Sequence, residues 1–268
     1  MKPLEFRGPK EGRCNICGEH GKLTEDHTPP KACISPGAFD VQRLNDALNH
    51  QHKARKVRAN TGLRFRSLCA KCNNEKLGGI YDPALVSFTN QLSAMVRFRE
   101  TLPQTLTVQV EPQKIMRAVY GHLAAASVDA YGTHKDHEPF RDWFLSGSGT
   151  VPLGVHFHFW LYPFKPQVIV RGFAFTPVIG GNSLFVGWLM KFFPVAFLIV
   201  MSRQDAHLSL PDLRVYEDLP LDAKVNVAID LRSILPPNWP EADPGENGVV
   251  ISGDHALRST EARRRRRR

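Results

Sequence analysis

The period of apolar and polar positions changes along this 268-residue chain. Up to about residue 100 the periodic stretches are brief. Val41–Leu48 has apolar positions three and four apart, as a short helix would. Glu111–Ala126 then repeats apolar residues at helical spacing. Pro112 sits early in it, where a missing N–H costs little. Beyond it, period two takes over. Val155–Leu161 alternates strongly, and Gln167–Phe175 reads as its partner across a Pro-containing turn. Ser183–Leu189 and Pro194–Met201 add two more strands, joined through Met190–Phe193, and Val225–Ile229 a fifth. The apolar run Leu184–Met201 is near the length of a membrane-spanning helix, but Gly187, Lys191 and Pro194 interrupt it. Two buried strands are the better reading, and no membrane partner is expected. From Pro236 onward Pro and Gly are too dense for a packed element.

The pattern predicts an α+β protein. An N-terminal module covers residues 1–100. A second module, an antiparallel sheet packed on the 112–130 helix, covers 101–236, and an irregular tail with a terminal arginine run covers 237–268.

Charge sharpens this division. Formal net charge is +9; residues 1–99 hold 17 Lys and Arg against 9 Asp and Glu, whereas residues 100–262 hold 12 against 17. Basicity is concentrated in the first module and in Arg263–Arg268, which suits a polyanionic partner. Arg43, Lys53, Arg55, Lys56, Arg64 and Lys76 are the candidate phosphate contacts. The run His50–Arg58 reads equally as a phosphate-contacting arm or a solvated loop. The terminal arginine run follows a polar segment and is not counted in that surface.

Cysteine spacing supplies the chemistry. Cys14-Asn-Ile-Cys17 and Cys69-Ala-Lys-Cys72 are two Cys-x-x-Cys turns, and two such turns complete a tetrahedral thiolate shell for structural Zn²⁺. Disulfides or thioredoxin-like redox chemistry are the competing readings. The N-terminal segment Met1-Lys-Pro-Leu-Glu-Phe-Arg-Gly is short, polar and broken by proline, so no signal peptide is read there. A cytoplasmic location, where thiols stay reduced, is expected. No βαβ pattern surrounds either pair. Cys33 is left over as a free thiol. His156 and His158 share one face of a strand and read as its polar side, without a role.

The residues between the knuckles carry a resemblance. Leu23-Thr-Glu-Asp26-His27-Thr-Pro29-Pro30-Lys31 resembles the start of the HNH (ββα-metal) nuclease motif, in which an Asp-His pair ends the first strand. Arg64–Leu68 resembles its second strand. Cys72-Asn73-Asn74-Glu75-Lys76 resembles the start of its helix, in the variant where asparagine replaces the last histidine. The resemblance covers roughly residues 12–90. It implies His27 as general base, Asp26 and Asn73 as ligands of a catalytic Mg²⁺ or Mn²⁺, and Lys76 as a phosphate contact. Imidazole titrates near neutral pH, and a hard cation prefers an oxygen-rich, incomplete shell. For the motif's middle asparagine, which holds the loop, the candidate is Asn60, with Asn45 and Asn49 as alternatives. Alone, Asp26-His27 would read as a surface polar pair and Asn73 as a helix cap. The knuckles framing them favour the nuclease reading.

The expectation is therefore a metal-dependent endonuclease acting on nucleic acid, DNA favoured. The second module would choose the substrate or receive a protein or ligand activator. Restriction or phage defence is suggested by analogy alone. The alternatives are an inactive zinc-knuckle adaptor that binds nucleic acid, and an RNA nuclease.

Overall fold

The computed structural model of the chain describes residues 7–34, 37–48, 56–60, 62–97, 103–126, 138–176, 184–201, 208–231, 234–241, 249–252 and 256–262. Strands β1 (Glu11–Arg13) and β2 (His20–His27) flank the first cysteine turn. β3 (Phe39–Arg43) runs into the short helix α1 (Leu44–Leu48), followed by β4 (Val57–Ala59) and β5 (Arg64–Cys69). A π-helix, Lys71–Tyr81, continues directly into α2 (Asp82–Arg97). Next come β6 (Thr105–Val110), α3 (Pro112–Ala125) and α4 (Glu138–Ser146). They are followed by β7 (Val155–Leu161), β8 (Gln167–Thr176), β9 (Phe185–Phe192), β10 (Val195–Met201), β11 (Val225–Asp230), β12 (Val249–Ser252) and β13 (Leu257–Glu261).

The result is a mixed α+β fold with antiparallel sheets. β1, β2 and β5 form a small sheet in that order. A large sheet runs β4-β3-β13-β8-β9-β10-β7, with β12 also on β8, and β6 pairs with β11. The apolar run 184–201 forms two adjacent strands, β9 and β10, in register Phe192↔Val195. They turn at Phe193–Pro194, later than the expected Met190–Phe193, because backbone pairing continues to Phe192 opposite Val195. Among the described residues, no helix is long and apolar enough to cross a membrane.

Helix α3 lies at the centre, and every residue in it except Lys114 is buried. A helix buried on all sides normally is apolar all round; this one also carries Gln113, Arg117 and His122 inward. Each is bonded: Gln113 to the carbonyls of Tyr216 and Glu217, Arg117 to those of Gln113, Trp143 and Ser148, and His122 to two carboxylates. On one side Tyr120 stacks on Trp188 of β9 at 5.8 Å between centroids. On another, Gly121 lets the π-helix come close: a Cβ there would lie 2.6 Å from Leu77 Cδ1.

The C-terminal end of α3 joins the two halves of the chain. Helix carbonyls there lack intrahelical donors. The N-terminal segments supply them: Thr28 Oγ1 donates to His122 O, Asn15 Nδ2 to Ala124 O and Ser67 Oγ to Ala125 O. From the large sheet, Arg171 also donates to Ala124 O, at 2.6 Å. One apolar cluster extends from Cys14 and Leu68 through α3 to Phe197 and Leu257, so packing continues across the boundary expected near residue 100.

Three other expectations change. β8 is not the partner of β7: β7 pairs with β10 and β8 with β9, so the tight β9–β10 hairpin lies between them. Val41–Leu48 is not one helix: residues up to Arg43 pair as β3 with β13, and only Leu44–Leu48 is helical. The segment expected to be an irregular tail contributes β12 and β13 to the large sheet. Before them, the buried Lys191 Nζ donates to the carbonyls of Pro237 and Trp239 and pairs with Glu241, pinning that segment on β9. Proline density disfavours helix there but does not prevent a turn held by a buried cation.

Candidate metal centre and cleft

The first knuckle is the turn between β1 and β2. Gly18 takes φ 76°, the left-handed conformation that glycine tolerates, and donates its N–H to Cys14 O. The second knuckle spans the end of β5 and the first turn of the π-helix. Pairing of β2 with β5, Leu23 opposite Cys69, brings the knuckles together. The metal-binding atoms of Cys14, Cys17, Cys69 and Cys72 all lie within 4.8 Å of one another, and Cys17 and Cys69 Sγ are 3.7 Å apart. Four sulfurs about 2.3 Å from a central Zn²⁺ would stand about 3.8 Å apart. The cluster therefore has the dimensions and the donor type to hold a zinc ion. Contacts with Cys17 and Cys72 lower the Cys14 thiol pKa, while sulfur contacts and burial raise those of Cys17 and Cys72. Cys33 stands outside the cluster, on the 3-10 turn Lys31–Cys33, and burial pushes its thiol up to about 12.

Beside the knuckles a cleft of about 530 Å³ opens between the end of β2, the π-helix and the start of α2. Asp26, His27 and Asn73 line it, so three of the residues singled out in the sequence meet in one cleft. Asn73, in the first turns of the π-helix, donates through Nδ2 to Thr24 Oγ1 at 2.9 Å and to Glu25 O at 3.2 Å. With its amide nitrogen fixed to β2, its oxygen is the end left to act as a donor atom for a cation. Burial lowers the His27 pKa, and the nearby Arg64 pushes the same way while Asp26 opposes it. His27 is therefore a neutral imidazole at pH 7.

Two residues of the cleft were not read from the sequence. Asp82, at the junction of the π-helix with α2, and His122, on α3, complete it. His122 Nδ1 lies 2.8 Å from Asp26 Oδ2 and Nε2 lies 2.9 Å from Asp82 Oδ1. Burial alone would lower this imidazole's pKa; the two carboxylates outweigh it and hold it up at about 10. His122 is thus a buried cation donating from both nitrogens. Thr28 Oγ1 adds a second bond to Asp26 Oδ2 at 3.1 Å. The orientation of Asp26 is set by partners 2 and 96 positions away in sequence, and no local pattern signals the second of these.

Other candidates fall elsewhere. Asn60 is exposed at the end of β4 and does not line the cleft; Asn45 accepts from Ser252 Oγ. Arg64 is not a free cation: with Arg66 it grips Glu25. Strand alternation places both arginines on the same side, a pairing the basic count could not reveal. Lys56 is exposed and Lys76 half-buried, but neither lines the cleft, whereas Lys31 does. Arg43 lies in β3 and is half-buried. Lys53, Arg55, Asn49 and the terminal arginines lie outside the described residues.

The chain matches no protein-family model, no curated protein and no solved structure.

Proposed function

We propose that this protein is a metal-dependent endonuclease of the HNH type, hydrolysing phosphodiester bonds in nucleic acid, with DNA the favoured substrate. The observation that carries the reading is the convergence of Asp26, His27 and Asn73 in one cleft directly beside a four-cysteine cluster. The reading is supported by the pairing of β2 with β5 and by the π-helix that follows β5, with β3, α1 and β4 inserted between the two strands.

In this reading Asp26 and the Asn73 amide oxygen would hold Mg²⁺ or Mn²⁺, and Asp82 adds a third oxygen donor in the same cleft. Such a cation supplies charge stabilisation at the scissile phosphate and the leaving oxygen. His27, neutral at pH 7, accepts the proton of the attacking water. His122 and Thr28 both engage Oδ2 of Asp26 and so fix the carboxylate's orientation, the role such outer partners play for metal ligands. Lys31 at the rim is placed to meet a phosphate. The cysteine cluster, with Zn²⁺, would anchor β2 to the π-helix and so keep Asn73 opposite Asp26.

The decisive experiment incubates the purified protein with plasmid DNA, single-stranded DNA and RNA in Mg²⁺, Mn²⁺ or EDTA. Cleavage should require the cation and fall about a hundredfold in His27→Ala, the scale of lost acid–base assistance. In Asp26→Ala and Asn73→Ala, excess cation should restore part of the activity. Undiminished cleavage by His27→Ala would overturn the assignment. Binding without cleavage under every condition would favour the adaptor reading.

A further inference from the structure

Along the chain, His156 and His158 stand out only as the polar side of a strand. In the structure they gain a third partner. Both side chains leave the same face of β7, and their rings stack at 5.8 Å between centroids with planes 8° apart. Asp212 reaches them from the segment that precedes the 3-10 turn Leu213–Tyr216, with Oδ2 2.7 Å from His156 Nδ1. One ligand atom from each of the three residues lies within 4.8 Å of the others. Ligands each about 2.0–2.1 Å from a Zn²⁺ ion would stand about 3.4 Å apart, so a small rearrangement, which parts His156 Nδ1 from Asp212 Oδ2 and draws His158 in, brings the three onto one ion.

Two further observations separate this cluster from a simple His–Asp bond. First, His158 is 6% exposed, and its Nδ1 finds no hydrogen-bond partner among the described residues. A buried ring nitrogen without a partner is costly unless something binds it. Second, the cluster sits where the fold needs a fastener. β7 is the last strand of the large sheet, and an exposed edge invites unwanted pairing. The 208–216 segment covers that edge through a handful of bonds: Phe159 N–H donates to Pro211 O, Phe157 N–H donates to Asp212 Oδ1, Arg214 Nη1 donates to Val155 O, and His158 and Asp212 form a single bridge.

We propose that His156, His158 and Asp212 form a further metal site, for a Zn²⁺-type divalent ion, that clamps the 208–216 segment onto the edge of the large sheet. Two imidazoles and a carboxylate suit such an ion, and soft thiolates are not required. The half-buried His156 side leaves the fourth position to water.

The test strips the full-length protein with a chelator and titrates it with Co²⁺. Cobalt on thiolates shows an intense near-ultraviolet charge-transfer band; cobalt on imidazole and carboxylate shows only weak visible bands. The wild type should bind one equivalent more than His158→Ala or His156→Ala, and the extra equivalent should carry no thiolate band. The thiolate band itself should persist in both variants, which shows that the N-terminal fold survives the change. Any cation held by the cleft around Asp26 is common to all three proteins and cancels in the comparison. Equal stoichiometry in the wild type and both variants would overturn the site.

Discussion

At the scale of single residues, the cleft depends on two histidines held in opposite states. Burial and Arg64 keep His27 below its usual range, so it is ready to accept a proton. If it is the base, cleavage should be flat near pH 7 and decline on an acid limb centred below 6.5, and the residual activity of His27→Ala should lack that limb. His122 is raised instead, to about 10, by Asp26 and Asp82 working against burial. A raised folded pKa stabilises fully below the unfolded value of about 6.5 and loses that contribution as pH climbs through about 10. His122→Asn leaves two carboxylates without their shared cation, and stranding buried charges costs about 3–5 kcal/mol. Denaturant unfolding should show that deficit at pH 6.5 and a narrowing gap towards pH 10. A pH-independent deficit would mean that His122 acts by packing alone.

At the scale of elements, the knuckles set the register of the small sheet against the π-helix. Binding energy at such a cluster is folding energy, because the site does not exist in the unfolded chain. Cys72→Ser should lose tightly bound zinc and lower the thermal midpoint, and chelation should lower the wild-type midpoint in the same way. Metal analysis that finds no zinc in the freshly purified wild type would remove this claim. The π-helix itself was not legible. Lys71–Tyr81 contains Gly78 and Gly79, whose missing Cβ atoms face the carbonyls of Asn73 and Asn74 at 3.4 and 3.2 Å. Wide turns of this kind occur often at functional sites, and here the widened segment presents Asn73 to the cleft.

For the whole molecule, α3 is the shared element. Its carbonyl end is satisfied by Thr28, Asn15 and Ser67, and its His122 orders Asp26. A fragment of residues 1–100 would expose the apolar surface that packs on α3 and lose His122, one of the two partners of Asp26. It should not fold into a cooperative unit, even with zinc; circular dichroism and thermal unfolding would show a broad, shallow transition. A sharp transition in the fragment would show that the first module is independent and that α3 merely covers it.

Some features of the protein are written locally. Alternation gave β7 to β10, helical spacing gave α3, and the two Cys-x-x-Cys turns gave the four-sulfur cluster, because each depends on a period or a spacing within a few residues. That Asp26, His27 and Asn73 would lie together was anticipated through the motif resemblance rather than through spacing alone, and the three do line one cleft. What tertiary structure alone decided are the pairings between distant positions. These include the His122 cation between Asp26 and Asp82, Glu25 taking up Arg64 and Arg66, Asp212 meeting His156, and Lys191 holding the 237–241 segment. The His122 and Lys191 pairings satisfy charges that packing has cut off from water, while those of Glu25 and Asp212 are only part-buried. Which groups lose their water depends on how helices and sheets stack, so no count of residues along the chain can assign the partners.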